Sequence, residues 1–104
     1  MKLIYNKLVR DKIPDIIKAD GKKFKTRILD DKEHLAELIK KLKEEAAEFE
    51  ENPSIEELAD IKEITIAIRE ALGIRSGELE DTRRKKAASN GRFKQKIFLE
   101  SVEE

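Results

Sequence analysis

Four carboxylates carry the chemical content of this chain: Glu45 and Glu48, then Glu57 and Asp60, each pair spaced three residues apart. Residues three apart are neighbours on a helix surface, because each residue turns by about 100°. Along the first helix, Leu35, Leu38, Ile39, Leu42, Ala46 and Phe49 make an apolar stripe. Glu45 and Glu48 step off one edge of it, and Glu44 lies on the far side. In the next segment Leu58, Ile61, Ile64, Thr65, Ile68 and Leu72 form the apolar face. Glu57 falls inside that face, Asp60 on its edge and Glu63 further out. An unpaired carboxylate in apolar surroundings costs several kcal/mol, so something positive must meet it. Two acids from each of two neighbouring helices can converge on one point, where they repel each other unless a cation sits between them. The chain has no cysteine, and its one histidine, His34, lies early in a charged stretch and reads as a surface residue. An oxygen-only donor set selects a hard cation, Mg²⁺, with Mn²⁺ as a substitute. Mg²⁺ keeps positions for water and phosphate oxygens, which is the equipment of phosphoryl chemistry.

Plainer readings of the same residues stay open at this level. Ser54-Ile55-Glu56-Glu57 is a capping-box pattern, which explains Glu57 without a metal. Glu44 and Glu45 sit in a lysine-rich stretch where Lys41 and Glu45 can pair across one turn of a solvated face. The basic run Arg83 to Lys86 is equally an exposed helix face.

The elements that must position these residues follow from the punctuation of the sequence. Pro14 in a first turn predicts a short helix from about Lys12 to Ala19, closed by Gly21. Phe24 to Leu29 reads as a short strand. Asp30 or Asp31 caps the next helix, with Glu33 three residues after Asp30, and Asn52-Pro53 ends it near Glu51. Ser54 starts a third helix, which Gly73 terminates. The turn between them is a few residues, so the two helices form an antiparallel hairpin. Ser76 or Gly77 precedes a fourth, basic helix over about Glu78 to Ser89, ended by Asn90-Gly91, and Phe93 to Val102 reads as extended. The fold class is therefore mainly all-α, a helical hairpin with short extended segments near 24–29 and 93–102.

With 104 residues the chain fits one domain, 1–104, with a thin core. Tyr5 and the phenylalanines are assigned to that core, since aromatics make up only 5% of the residues. Two helices with a charged concave face cannot bury a core alone, so a bundle completed by a second chain is expected, a homodimer or homotetramer. The 23 basic and 23 acidic residues balance, which argues against a general nucleic-acid binder. No apolar run is long enough to span a membrane and no signal-peptide pattern opens the chain; with the absence of cysteine this suits a cytoplasmic protein.

The pairing of Glu45-x-x-Glu48 with Glu57-x-x-Asp60, within KLKEEAAEF and EELADI, resembles the MazG-type all-α nucleoside triphosphate pyrophosphohydrolases. The opening YNKLVRDKIPDII and the ending NGRFKQKIFL resemble the phosphoribosyl-ATP-pyrophosphohydrolase-like subgroup of that superfamily. The gap between Glu48 and Glu57 is shorter than in many members. The resemblance implies that Glu45, Glu48, Glu57 and Asp60 carry Mg²⁺ and that relatives assemble as dimers or tetramers with sites near the interface. The expected reaction is hydrolysis of a nucleoside triphosphate to monophosphate and pyrophosphate, with Glu45 or Glu48 taking the proton of the attacking water. Lys7, Arg10 and Lys12, with Arg84, Lys85, Lys86 and Arg92, are the candidates for binding the substrate's phosphates, and Asp11 for orienting one of them. The alternatives are a phosphoribosyl-ATP pyrophosphohydrolase of histidine synthesis and a catalytically silent helical oligomerisation or binding module.

Overall fold

The computed structural model describes residues 1–103 and contains four helices: α1 (Ile13–Ala19), α2 (Asp31–Glu51), α3 (Ile55–Ala71) and α4 (Ser76–Asn90). The fold is mainly all-α. It divides into two compact units, residues 1–73 and the segment from Ile74 onward.

In the first unit α2 and α3 pack against each other, joined by Asn52, Pro53 and Ser54. Both begin as their sequences dictate. The Asp30 side chain accepts the Glu33 N–H at 2.8 Å, and the Ser54 hydroxyl accepts the Glu57 N–H at 3.2 Å. Each bond satisfies one of the N–H groups that a helix start leaves unpaired. At the far end of α3, Gly73 adopts φ +71, a conformation that strains any residue with a Cβ, and its N–H reaches back to the Glu70 carbonyl at 3.0 Å.

Leu38 on α2 and Ile64 on α3 are the two buried hydrophobic residues, 4% and 7% exposed. Among the half-buried residues, one line can be followed along each helix. On α2 the line runs Leu35, Leu38, Leu42, Glu45 and Phe49; on α3 it runs Glu57, Asp60, Ile64 and Ala67, with Ile61 and Ile68 beside it. Steps alternating three and four are the seam of two helices packed at a shallow angle. The seam of α3 is rotated from the stripe its apolar residues suggest. Leu58, Thr65 and Leu72 face outward, as do Ile39 and Ala46 of α2. The outward face of α3 holds an open groove of about 380 Å³ lined by Ile55, Leu58, Ala59, Ile61, Lys62 and Thr65.

The expected extended segments do not pair: no strand forms among the described residues. A strand needs a partner of similar length, and neither segment has one. Near 24–29, Arg27 instead grips Glu33 with both guanidinium nitrogens, at 3.3 and 2.9 Å. In the second unit Phe93 to Lys96 turns, with Lys96 at φ +60, and Phe93, Ile97, Phe98, Leu99 and Val102 are exposed. The aromatic residues assigned to the core are mostly at the surface. Tyr5, Phe24, Phe93 and Phe98 are exposed and, of these aromatic residues, Phe49 alone is half-buried, because each unit by itself offers too little surface to cover them. Helix α4 begins before the expected Glu78. The Glu78 carboxylate folds back onto both the backbone N–H and the guanidinium of Arg75, at 3.4 and 2.9 Å, and so draws Ser76 and Gly77 into the first turn.

Candidate metal centre

Both seams carry acids near the connection between the helices. Glu45 takes the seam position between Leu42 and Phe49 near the end of α2, and Glu57 and Asp60 take the first two seam positions of α3. Since the connection is short, the end of α2 lies beside the start of α3. There, one carboxylate oxygen from each of Glu45, Glu57 and Asp60 lies within 4.8 Å of the other two, and all three residues are half-buried. The structure therefore brings together three of the four carboxylates expected to bind metal. Glu48 is exposed, one turn beyond Glu45, and stands outside the trio, acting on Glu45 through side-chain hydrogen bonding and charge.

The convergence leaves a record in the hydrogen bonding. Glu45 Oε2 and Glu57 Oε2 are both buried and neither has a hydrogen-bond partner. A buried carboxylate oxygen without a partner bears its full desolvation cost. The Ser54 cap engages the backbone of Glu57 while the side-chain Oε2 remains unpaired. The capping pattern thus explains how α3 starts but not where this carboxylate points. Burial first, then hydrogen bonding to and the charge of the Glu48 carboxylate, with the charge of Asp60 and hydrogen bonding to Glu57, pushes the Glu45 carboxyl up to about 7.

One cation meets the cluster. Arg10 Nη2 donates to Asp60 Oδ1 at 2.6 Å, bridging fifty residues of sequence. The other expected phosphate contacts are placed differently. Lys7 lies over the Tyr5 ring at 5.6 Å and lines a small cleft with Glu37, Lys40, Lys41 and Glu44 of α2. Lys12 is the exposed residue preceding α1. Arg84, Lys85, Lys86 and Arg92 belong to the second unit, where Arg84 and Arg83 both pair with Glu80, at 3.2 and 2.7 Å. That pairing holds the Glu80 carboxyl below the usual carboxylate range and engages one of the cations expected to meet substrate.

The Arg10–Asp60 pair is the feature that spacing along the chain did not reveal, since nothing in local periodicity links a residue before α1 to α3. The seam position of Glu45 did have a signal. The three–four alternation through 35, 38, 42, 45 and 49 places it in line with the core leucines more directly than a hydrophobic stripe does.

The donor set suits a hard divalent cation. Oxygens bound to one Mg²⁺ at about 2.1 Å are at most about 4.2 Å apart, so the trio needs only modest side-chain contraction to share an ion. Two of the three residues, Glu45 and Glu57, also carry a buried oxygen with no hydrogen-bond partner, which leaves lone pairs free for a cation. No protein-family model, no curated protein and no solved structure matches this chain.

Proposed function

We propose that this chain is a Mg²⁺-dependent nucleotide pyrophosphohydrolase of the MazG type. The observation that carries the reading is the convergence of Glu45, Glu57 and Asp60 on a helical seam, with Glu45 Oε2 and Glu57 Oε2 buried and unpartnered. A helix pair that wanted only stability would place apolar side chains at these positions.

Glu45, Glu57 and Asp60, joined by Glu48, would hold the ion. When bound, Mg²⁺ supplies charge neutralisation at the phosphates and a readily ionised water. Glu48, which is exposed, would accept the proton of the attacking water. Water adds to a phosphorus of the α–β linkage, the anhydride P–O bond breaks, and monophosphate and pyrophosphate leave. Arg10, beside Asp60, would meet a phosphate oxygen, with Lys7 and Lys12 of the same segment as further candidates. Arg84, Lys85, Lys86 and Arg92 remain candidates for holding the substrate's phosphates. In the same reading a second copy of the chain covers the open face of α3 at Ile55 and Leu58, 78% and 56% exposed. No helix among the described residues is long and apolar enough to cross a membrane, and a cytoplasmic enzyme completes the proposal.

The test is pyrophosphate release from a panel of nucleoside triphosphates with Mg²⁺, comparing wild type with Glu48→Gln and Asp60→Asn. Each variant is expected to lose about 100-fold or more in rate. Release from phosphoribosyl-ATP alone would select the histidine-synthesis reaction. No release from any of these, with no Mg²⁺ binding by calorimetry, would refute the enzyme. That result leaves the helical binding module, which the open apolar groove on α3 favours.

A further inference from the structure

We infer that Arg10 is an exchangeable counter-ion: it occupies Asp60 while the carboxylate cluster lacks a cation, and moves to the phosphates of the substrate when the cation arrives. This rests on the metal reading above and adds to it a competition built into the chain.

One guanidinium cannot balance the carboxylates of Glu45, Glu48, Glu57 and Asp60, so its place on Asp60 is a partial remedy. Asp60 is also one of the three residues whose carboxylates converge, so a divalent ion shared by them would draw on the same carboxylate that Arg10 holds. A bound cation and the guanidinium repel each other, and the ion, with twice the charge, displaces the arginine. The pair is built for exchange, because its side chains are 58% and 39% exposed and an exposed ion pair is weak. The backbone of Arg10 does not have to move. Its carbonyl accepts the Ile13 N–H at 3.1 Å in the turn that leads into α1, which anchors the residue while its long side chain swings. Once released, the planar guanidinium can donate two parallel hydrogen bonds to phosphate oxygens, a geometry that lysine lacks. Arg10 therefore opposes cation binding in the free protein and favours anion binding in the loaded one.

Calorimetric titration of Mg²⁺ into wild type, Arg10→Gln and Arg10→Lys, followed by inorganic pyrophosphate at saturating Mg²⁺, tests this directly. Arg10→Gln is expected to bind Mg²⁺ about three- to tenfold more tightly than wild type. The same variant is expected to bind pyrophosphate at least about tenfold more weakly. Arg10→Lys keeps the charge and loses the fork, so its Mg²⁺ affinity stays near wild type while its pyrophosphate affinity falls. An arginine that merely ties the N-terminal segment to α3 gives the opposite result, Mg²⁺ affinity unchanged or lower in Arg10→Gln, and that result overturns the inference while the metal site stands. A wild type that binds no Mg²⁺ overturns both. Should Arg10→Gln fail to fold, Arg10→Lys decides: unchanged pyrophosphate affinity rejects the inference.

Discussion

Replacing Glu45 by glutamine should stabilise the cation-free protein, and by an amount that depends on pH. The Glu45 carboxyl is held at about 7 instead of its ordinary 4.5, chiefly by burial and then by the Glu48 carboxylate. A raised acid keeps its proton in the folded state after the unfolded chain has lost it. Its contribution to stability is therefore fully present below about pH 4.5 and is lost as pH rises through 7. At about 1.4 kcal/mol per pH unit, the gap sets a ceiling of roughly 3 kcal/mol at pH 8. Solvent reaches part of the side chain, which reduces the effect to roughly 1–3 kcal/mol. Glutamine preserves the shape, carries no charge and brings an N–H donor for the partnerless Glu57 oxygen. In thermal unfolding with a chelator, at fixed protein concentration, Glu45→Gln should melt roughly 10 °C above wild type at pH 8. The two proteins should converge near pH 4.5. Added Mg²⁺ should raise the wild-type midpoint at pH 8 and leave the variant almost unmoved. A variant less stable than wild type at pH 8, or a difference independent of pH, would sink the claim that this carboxylate is buried against its neighbours.

Two further outcomes test the scaffold. Leu38→Ala removes one of the two buried hydrophobic side chains of the hairpin, and chemical denaturation should show a loss of about 2–4 kcal/mol. Ser54→Ala deletes the hydroxyl that accepts the Glu57 N–H and should cost about 1 kcal/mol, read as a lower denaturation midpoint; because that cap also orients the first turn of α3, Mg²⁺ affinity should fall with it.

Much of the hairpin could be read from the sequence because its boundaries are set by local chemistry. Asp30 and Ser54 cap as their side chains require, Asn52-Pro53 breaks the run and Gly73 closes it. The carboxylate cluster was readable for a related reason, since acids at core spacing conflict with the pattern around them. What the pattern concealed was rotation. Leu58 and Leu72 look like core on α3, but the packed seam runs through Glu57, Asp60, Ile64 and Ala67, and these two leucines are left outside. Hydrophobicity identifies a face that wants covering without saying whether α2 or something else covers it. The strand expected near 24–29 failed because β pairing is a property of two segments, and the β-branched residues of one cannot supply the other. The pairing of Arg10 with Asp60 joins positions fifty residues apart, so only tertiary structure could disclose it.

The position of the cluster at the closed end of the hairpin has a kinetic consequence. Glu57 and Asp60 follow Glu45 by twelve and fifteen residues, so their approach requires a short loop to close and little chain entropy to be lost. Contacts this local form early when a helical protein folds. Here, however, the earliest contacts bring like charges together, and the turn that should nucleate the hairpin is opposed by its own acids. Folding should consequently accelerate when those acids are protonated or screened, so that the rate at which the helices zip together reports on the same electrostatic conflict that prepares the folded pair for a cation.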